Sequence, residues 1–98
     1  MRAQPTRAFA KAVAKLDRSE QILVLKTVER LKQSEVESGK LLSGELQGCR
    51  SVRTGISGRL RLVYSLQSVH VLRLLIVGPR ERGVVYIQAL QILKELER

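Results

Sequence analysis

The sequence holds one cysteine, one histidine, two prolines and no tryptophan among 98 residues. A single thiol, Cys49, excludes an internal disulfide. With His70 as its only companion, it argues against a structural zinc site within one chain, and neither a metal nor a cofactor is expected. Cysteine this sparse fits a reducing cytoplasm. Long apolar runs are also missing. Stretches such as Ile22–Leu25 and Leu74–Val77 are far too short to span a bilayer, so no membrane role is expected. Met1-Arg2-Ala3-Gln4-Pro5 leads into no plain apolar segment and does not read as a secretory signal. Acidic residues are scarce: nine Asp+Glu stand against eighteen Lys+Arg, for a net charge of +9.

The basic excess has a character and a place. Arginine outnumbers lysine twelve to six, and guanidinium groups grip phosphate with a planar fork of donors. The excess therefore favours a polyanion such as nucleic acid as partner, against the plainer reading of a generally basic soluble protein. Residues 46–82 carry seven arginines and one acid, residues 1–45 carry nine bases and six acids, and the last sixteen residues balance. Composition otherwise describes one domain, residues 1–98, with a core of modest size.

Helical period marks the first part of the chain. Thr6 is placed to cap a helix carrying Phe9, Val13 and Leu16 on one stripe. Asp17-Arg18-Ser19-Glu20 has the form of a capping box. It predicts a second helix over about Arg18–Glu37, with Ile22, Leu25, Val28 and Leu31 turned inward and a left-handed glycine end at Ser38-Gly39. The two helices are close enough in sequence to form a hairpin.

Strand period follows. Cys49–Thr54 is a short strand, and Gly55-Ile56-Ser57-Gly58 has the look of a hairpin connection. Leu60–Leu66 alternates, with Leu60, Leu62, Tyr64 and Leu66 on one face. Gln67-Ser68 makes a turn, Val69–Val77 is nearly continuous apolar like a central strand, and Gly78-Pro79 stops it. A last helix over about Val84–Glu97 is expected to turn Ile87, Leu90, Leu93 and Leu96 inward. A short extra strand before Thr6 is weakly indicated, because Pro5 stands in it. The fold class is therefore α+β: two N-terminal helices, an antiparallel meander of three to four strands, and a C-terminal helix.

Strand geometry gathers the basic residues. In the expected register Arg53 and Arg61 come near one another on one face, Arg80 and Arg82 follow the end of the third strand, and Tyr86 lies in the first turn of the last helix. Several guanidiniums and one aromatic at one sheet end suit a phosphate and a stacked base. A plainer alternative pairs Arg61 with Glu45 or Glu81 and leaves Tyr86 at the rim of the core. His70 reads as a packed or surface histidine and Cys49 as a small buried hydrophobe. Glu81, between two arginines, is a poor candidate for a general base.

Three segments carry a resemblance. Leu42-Ser43-Gly44-Glu45-Leu46-Gln47-Gly48-Cys49-Arg50-Ser51-Val52-Arg53-Thr54-Gly55 resembles the L-x-G-x-L-x-G…R-x-G segment of the RelE/ParE toxin superfamily. Arg61-Leu62-Val63-Tyr64 is similar to its Y-R-L-V-Y strand. Val77-Gly78-Pro79-Arg80-Glu81-Arg82-Gly83-Val84-Val85-Tyr86 is similar to the V-G-x-R-E-R-x-x-V-Y end of the RelE branch. The three fall in order at these spacings, the succession of helices and strands fits as well, and the resemblance as a whole covers about residues 6–97. The resemblance implies a RelE-like, microbial-ribonuclease-like fold and a cytoplasmic toxin of a type II toxin–antitoxin pair. Its partners would be the ribosome with its mRNA and a RelB-like antitoxin, acidic and amphipathic. The RelE branch cuts mRNA in the ribosomal A site. The ParE branch shares the fold, lacks the nuclease residues and inhibits DNA gyrase. A third reading is a catalytically inactive nucleic-acid or ribosome-binding module.

The family's catalytic positions fall here on Arg53, Arg61, Arg80 and Tyr86. On this reading Arg61, Arg80 and Tyr86 are catalytic, while Arg50, Arg53, Arg59 and Arg82 bind RNA. Two positions depart from the pattern. Ser51 stands where the RelE branch usually has lysine, and one extra residue, in Arg59-Leu60, precedes the Arg-Leu-Val-Tyr run. A bulge there would re-aim Arg59 into the site. Arginine, with a pKa above about 12, is no base at neutral pH. The set is thus rich in electrostatic stabilisers and poor in acid–base groups. Such an enzyme should be feeble on free RNA and should depend on a larger body to hold the substrate in line.

Overall fold

The computed structural model describes residues 1–97. The chain runs β1 (Arg2–Pro5), α1 (Arg7–Ala14), α2 (Arg18–Arg30), β2 (Lys40–Leu41), β3 (Cys49–Thr54), β4 (Leu60–Ser68), β5 (Val71–Pro79) and α3 (Val84–Leu96). The sheet order is β1-β5-β4-β3-β2. The β3–β4–β5 meander is antiparallel as expected, and two short edge strands extend it to five. β1 pairs parallel with β5, and Pro5 is accommodated because it lies on the sheet's edge. β2 pairs antiparallel with β3 and is two residues long, too short to show any alternation in sequence. Among the described residues, no helix is long and apolar enough to cross a membrane.

Both N-terminal caps form. Thr6 Oγ1 accepts from Phe9 N at 3.0 Å and donates to Leu75 O at 2.7 Å, so it starts α1 and ties it to β5. Asp17 Oδ1 accepts from Glu20 N at 2.9 Å. The reciprocal half of the capping box is absent. Buried Glu20 turns its side chain across to the β3–β4 connection, where Oε1 accepts from Ile56 N at 2.6 Å.

That contact explains a misread face. The inner side of α2 is Glu20, Val24, Thr27 and Val28, continued by Leu31, while Ile22 and Leu25 are 46% and 53% exposed. Two polar residues hold inner positions because the tip of the β3–β4 hairpin packs there. Thr27 Oγ1 lies 2.8 Å from Thr54 Oγ1, beside the Glu20 contact. After Arg30 the helix widens into a π-helical turn, Leu31–Glu35. Gly39 is not left-handed; its missing side chain serves a close approach instead. A Cβ there would sit 2.5 Å from Tyr64 Oη and 2.9 Å from Ser51 O.

Other boundaries shift for local reasons. The β4–β5 turn falls at Val69–His70, where Ser68 Oγ accepts from His70 N at 3.2 Å, and two register irregularities in β4 absorb the difference. Gly78 and Pro79 close β5 from within, opposite Arg61 and Leu60. α3 buries Val85 and Ala89, with Leu93 partly buried, whereas Ile87 is 58% exposed. Small Val85 lets the helix come close over Gly78, and a count of large apolar residues does not see that.

The core lies on the two sheet faces. Phe9, Val24, Leu31, Leu62, Tyr64 and Leu72 pack one side with α1 and α2. Cys49, Val63, Leu75, Val85 and Ala89 pack the other beneath α3. The strand register puts Ser51, Arg53, Arg61 and Val63 on the α3 side.

Candidate active site

A cleft of about 640 Å³ opens where β2, β3 and β4 meet the start of α3. Lys40, Ser51, Arg53, Arg61, Arg80 and Tyr86 line it, together with Ser38, Gly39 and Val52. Four cations and no carboxylate face one space, so the cleft is built for an anion.

Each side chain reaches it by a traceable route. Arg53 and Arg61 are directly opposed in the β3–β4 ladder, as expected. Arg61 is only 9% exposed, and its Nη1 donates to Gly58 O at 2.8 Å and Leu60 O at 3.2 Å. It pairs with neither Glu45 nor Glu81: Glu45 lies 3.7 Å from Lys94 Nζ, and Glu81 is exposed in the turn before α3. With Nη1 occupied, the Nε and Nη2 hydrogens of the fork are left for a ligand. Arg80 follows Pro79 at the end of β5 and is exposed. Tyr86 is half-buried, and its hydroxyl donates to Ser51 Oγ at 3.5 Å.

The other three arginines do not line the cleft. Arg50 lies on the α2 side of β3, paired with Tyr64, and its Nη1 donates to Glu37 O at 3.1 Å and Gly39 O at 2.9 Å. It serves the wall of the cleft rather than its interior. Arg59 is exposed beside the β3–β4 connection. The extra residue is taken up in a 3₁₀ turn, Ile56–Gly58, closed by left-handed Gly55 and Gly58, so no strand bulge re-aims Arg59. Arg82 is exposed in the turn before α3, with a φ of 57°.

Lys40 and the Ser38-Gly39 wall went unnoticed in the sequence. Their one signal is register: Lys40 stands opposite Ser51, and only the paired strands reveal it. The wall is held from behind by Tyr64, whose hydroxyl donates to Val36 O at 2.6 Å and accepts from Gly39 N at 3.2 Å. Burial raises the Tyr64 pKa above its ordinary value, against smaller opposing pulls from the Gly39 N–H and the Arg50 charge, and keeps it a phenol. Burial likewise raises the Cys49 thiol, which is unreactive core. His70 is exposed in the β4–β5 turn, at the far end of the sheet. Among the described residues, no group of His, Cys, Asp and Glu is arranged to hold a metal.

No protein-family model and no curated protein matches the chain. Solved structures do. A mutant of the E. coli toxin RelE in the free state aligns at a TM-score of 0.71 and 27% identity, over 91% of this chain and 93% of that one. The RelBE2 toxin–antitoxin complex of Mycobacterium tuberculosis aligns at 0.68 and 26%, over 80% and 95%. An archaeal RelE–RelB complex from Pyrococcus horikoshii shares the fold at 0.61 and 24%, over 83% and 96%. The chain has the fold of the RelE toxins. Its cleft is then the part of a RelE-family fold in which Arg61, Arg80 and Tyr86 converge, with Ser51 and Lys40 along one side.

Beside the cleft runs a second, mostly apolar groove of about 700 Å³ along α2, lined by Ile22, Leu25 and Lys26 and by Thr54, Gly55 and Gly58 of the hairpin. Arg53 belongs to both spaces.

Proposed function

We propose that this chain, acting as one domain over residues 1–98, is the toxin of a type II toxin–antitoxin pair and cuts mRNA in the A site of cytoplasmic ribosomes. The observation that carries the reading is the convergence of Arg53, Arg61, Arg80 and Tyr86 on one cleft without a carboxylate. Cleavage by the RNA's own 2′-hydroxyl places extra negative charge on a pentavalent phosphorane. Preorganised guanidiniums lower the cost of that charge, and one such donor is worth about 10²–10³ in rate. Arg61 and Arg80 hold the scissile phosphate, Arg53 holds a neighbouring one, and Tyr86 stacks on or orients the nucleotide. The ribosome supplies the in-line geometry that so small a cleft does not impose, and held geometry replaces a large part of a barrier.

The antitoxin in this reading is acidic and amphipathic. Its apolar side chains fill the groove beside Ile22 and Leu25, and its carboxylates meet the cations next to it. The neighbouring structures that are RelB–RelE complexes support a partner of this kind.

The test is a purified translation reaction with a defined mRNA, mapped by primer extension, with naked mRNA and Arg80→Ala alongside. Cuts inside A-site codons that need both ribosomes and Arg80 are the expected result. Intact mRNA throughout overturns the reading and moves attention to gyrase supercoiling and to a non-catalytic binding module.

A further inference from the structure

Cutting RNA by its own 2′-hydroxyl leaves an alkoxide on the 5′-oxygen that departs, and something must hand it a proton. Of the four cations in the cleft, three are guanidiniums, which do not release a proton near neutral pH. The remaining proton carriers lining the cleft are the Lys40 ammonium, the Tyr86 phenol and two serine hydroxyls. The Tyr86 hydroxyl is already directed at Ser51 Oγ.

Lys40 is unusually well placed for an exposed lysine. It faces Ser51 directly across the β2–β3 pair, and side chains opposite one another share a face about 4.5–5.5 Å apart at Cβ. Ser51 is short, so the lysine stem has room to lie over the strand toward Tyr86. Its backbone is fixed from both sides. Gly39, the residue before it, donates its N–H to buried Tyr64 and accepts from Arg50 on its carbonyl. Two residues further on, Leu42 N donates to Cys49 O at 3.0 Å. The ion pairs Lys32–Glu29 and Lys94–Glu45 involve no residue of the cleft, and among the described residues no carboxylate occupies Lys40.

We propose that Lys40 is the proton donor to the leaving 5′-oxygen. This rests on the nuclease reading above. The 2′-oxygen bonds to phosphorus while the P–O5′ bond breaks, its electron pair going to O5′. O5′ takes a proton from the Lys40 ammonium, and the 2′-hydroxyl proton passes to water. The products are a 2′,3′-cyclic phosphate and a 5′-hydroxyl, and the neutral amine regains its proton from solvent. Ser51 contributes by being small, and the cation in this part of the cleft comes from the neighbouring strand.

The experiment is single-turnover cleavage on mRNA-programmed ribosomes by the wild-type protein, Lys40→Arg, Lys40→Ala and Arg80→Ala. Each is run on ordinary mRNA and on mRNA with sulfur in place of the bridging 5′-oxygen at the cut site. A thiolate leaves without a proton, so the sulfur linkage bypasses the donor. Both lysine variants are expected to lose about 10²–10⁴-fold on the oxygen linkage, to come within a few-fold of wild type on sulfur, and to bind ribosomes as tightly as wild type. Wild-type rates for Lys40→Arg on oxygen would overturn the proposal by showing that charge alone suffices. An equal deficit on both linkages would overturn it too, by making Lys40 a positioning residue. If wild type cuts and the lysine variants cut equally well, Lys40 alone is eliminated. If wild type and Arg80→Ala both leave either linkage intact, the nuclease reading falls with it.

Discussion

Arg53 and Arg61 stand directly opposite one another in the β3–β4 ladder, two like charges on the face that floors the cleft. Such pairs destabilise a sheet by roughly 0.2–1 kcal/mol. Arg61 relieves part of this by turning Nη1 back onto Gly58 O and Leu60 O. Arg53→Gln should therefore raise Tm, by up to about 4–8 °C at the upper end of that range, while lowering cleavage. Thermal melts at low and high salt check it. A lower Tm for the variant would show that the opposed charges cost the fold nothing.

Arg61 braces the start of β4 and also lines the cleft, so its substitutions separate. Arg61→Ala leaves the Gly58 and Leu60 carbonyls without their charged donor and should cost about 1.5–3 kcal/mol in urea unfolding. Arg61→Lys should recover much of the stability but little of the activity, because an ammonium lacks the fork. Equal recovery of both would mean that charge, not shape, matters here.

Glu20 pins the hairpin that carries Arg53 and Arg61, through Oε1 and Ile56 N, while Oε2 is buried without a partner. Glu20→Gln keeps the acceptor and should cost less than about 1 kcal/mol. Glu20→Ala should cost about 1.5–3 kcal/mol. Denaturant midpoints for the two variants decide; the reverse order would discount the Ile56 contact.

Gly39→Ala drives a methyl toward Tyr64 Oη and the Ser51 carbonyl. It should destabilise by about 1–3 kcal/mol, as overpacking does. In a Tyr64→Phe background the added cost should be smaller by at least about 0.5 kcal/mol, since the clashing oxygen is gone. Strict additivity in the double-mutant cycle would break the link between the two residues.

Rising alkaline pH should destabilise the chain over two overlapping ranges. Cys49 and Tyr64 have folded pKa values raised by burial above their ordinary 9.0 and 10.0. Each therefore stabilises fully below its unfolded pKa, and that stability is lost as pH rises toward the folded value. Cys49→Ala should flatten the decline that begins near pH 9, and Tyr64→Phe the decline beyond 10. Unfolding free energies measured from pH 7 upward read both slopes; parallel curves for all three proteins would contradict the burial argument.

Much of this was legible in the sequence, and the failures have physical causes. The caps at Thr6 and Asp17, the β3–β4 register and the placing of Arg53, Arg61, Arg80 and Tyr86 follow from period and turn chemistry. The inner face of α2 did not, because Glu20 and Thr27 are buried by hydrogen bonds to a hairpin distant in sequence, and apolar counting assigns burial to Ile22 and Leu25 instead. Lys40 was invisible because a two-residue strand has no period, and its meaning lies wholly in what it pairs with.

Arg53 sits on the ridge between the cationic cleft and the apolar groove along α2. On the proposed function, a carboxylate arriving on one side and a phosphate on the other would draw on the same guanidinium. Occupancy of the two spaces would then be coupled through a single side chain, with a negative sign. Thermodynamic reciprocity would make the effect run both ways: whatever factor a groove-bound segment takes from affinity for RNA, bound RNA would take from affinity for that segment.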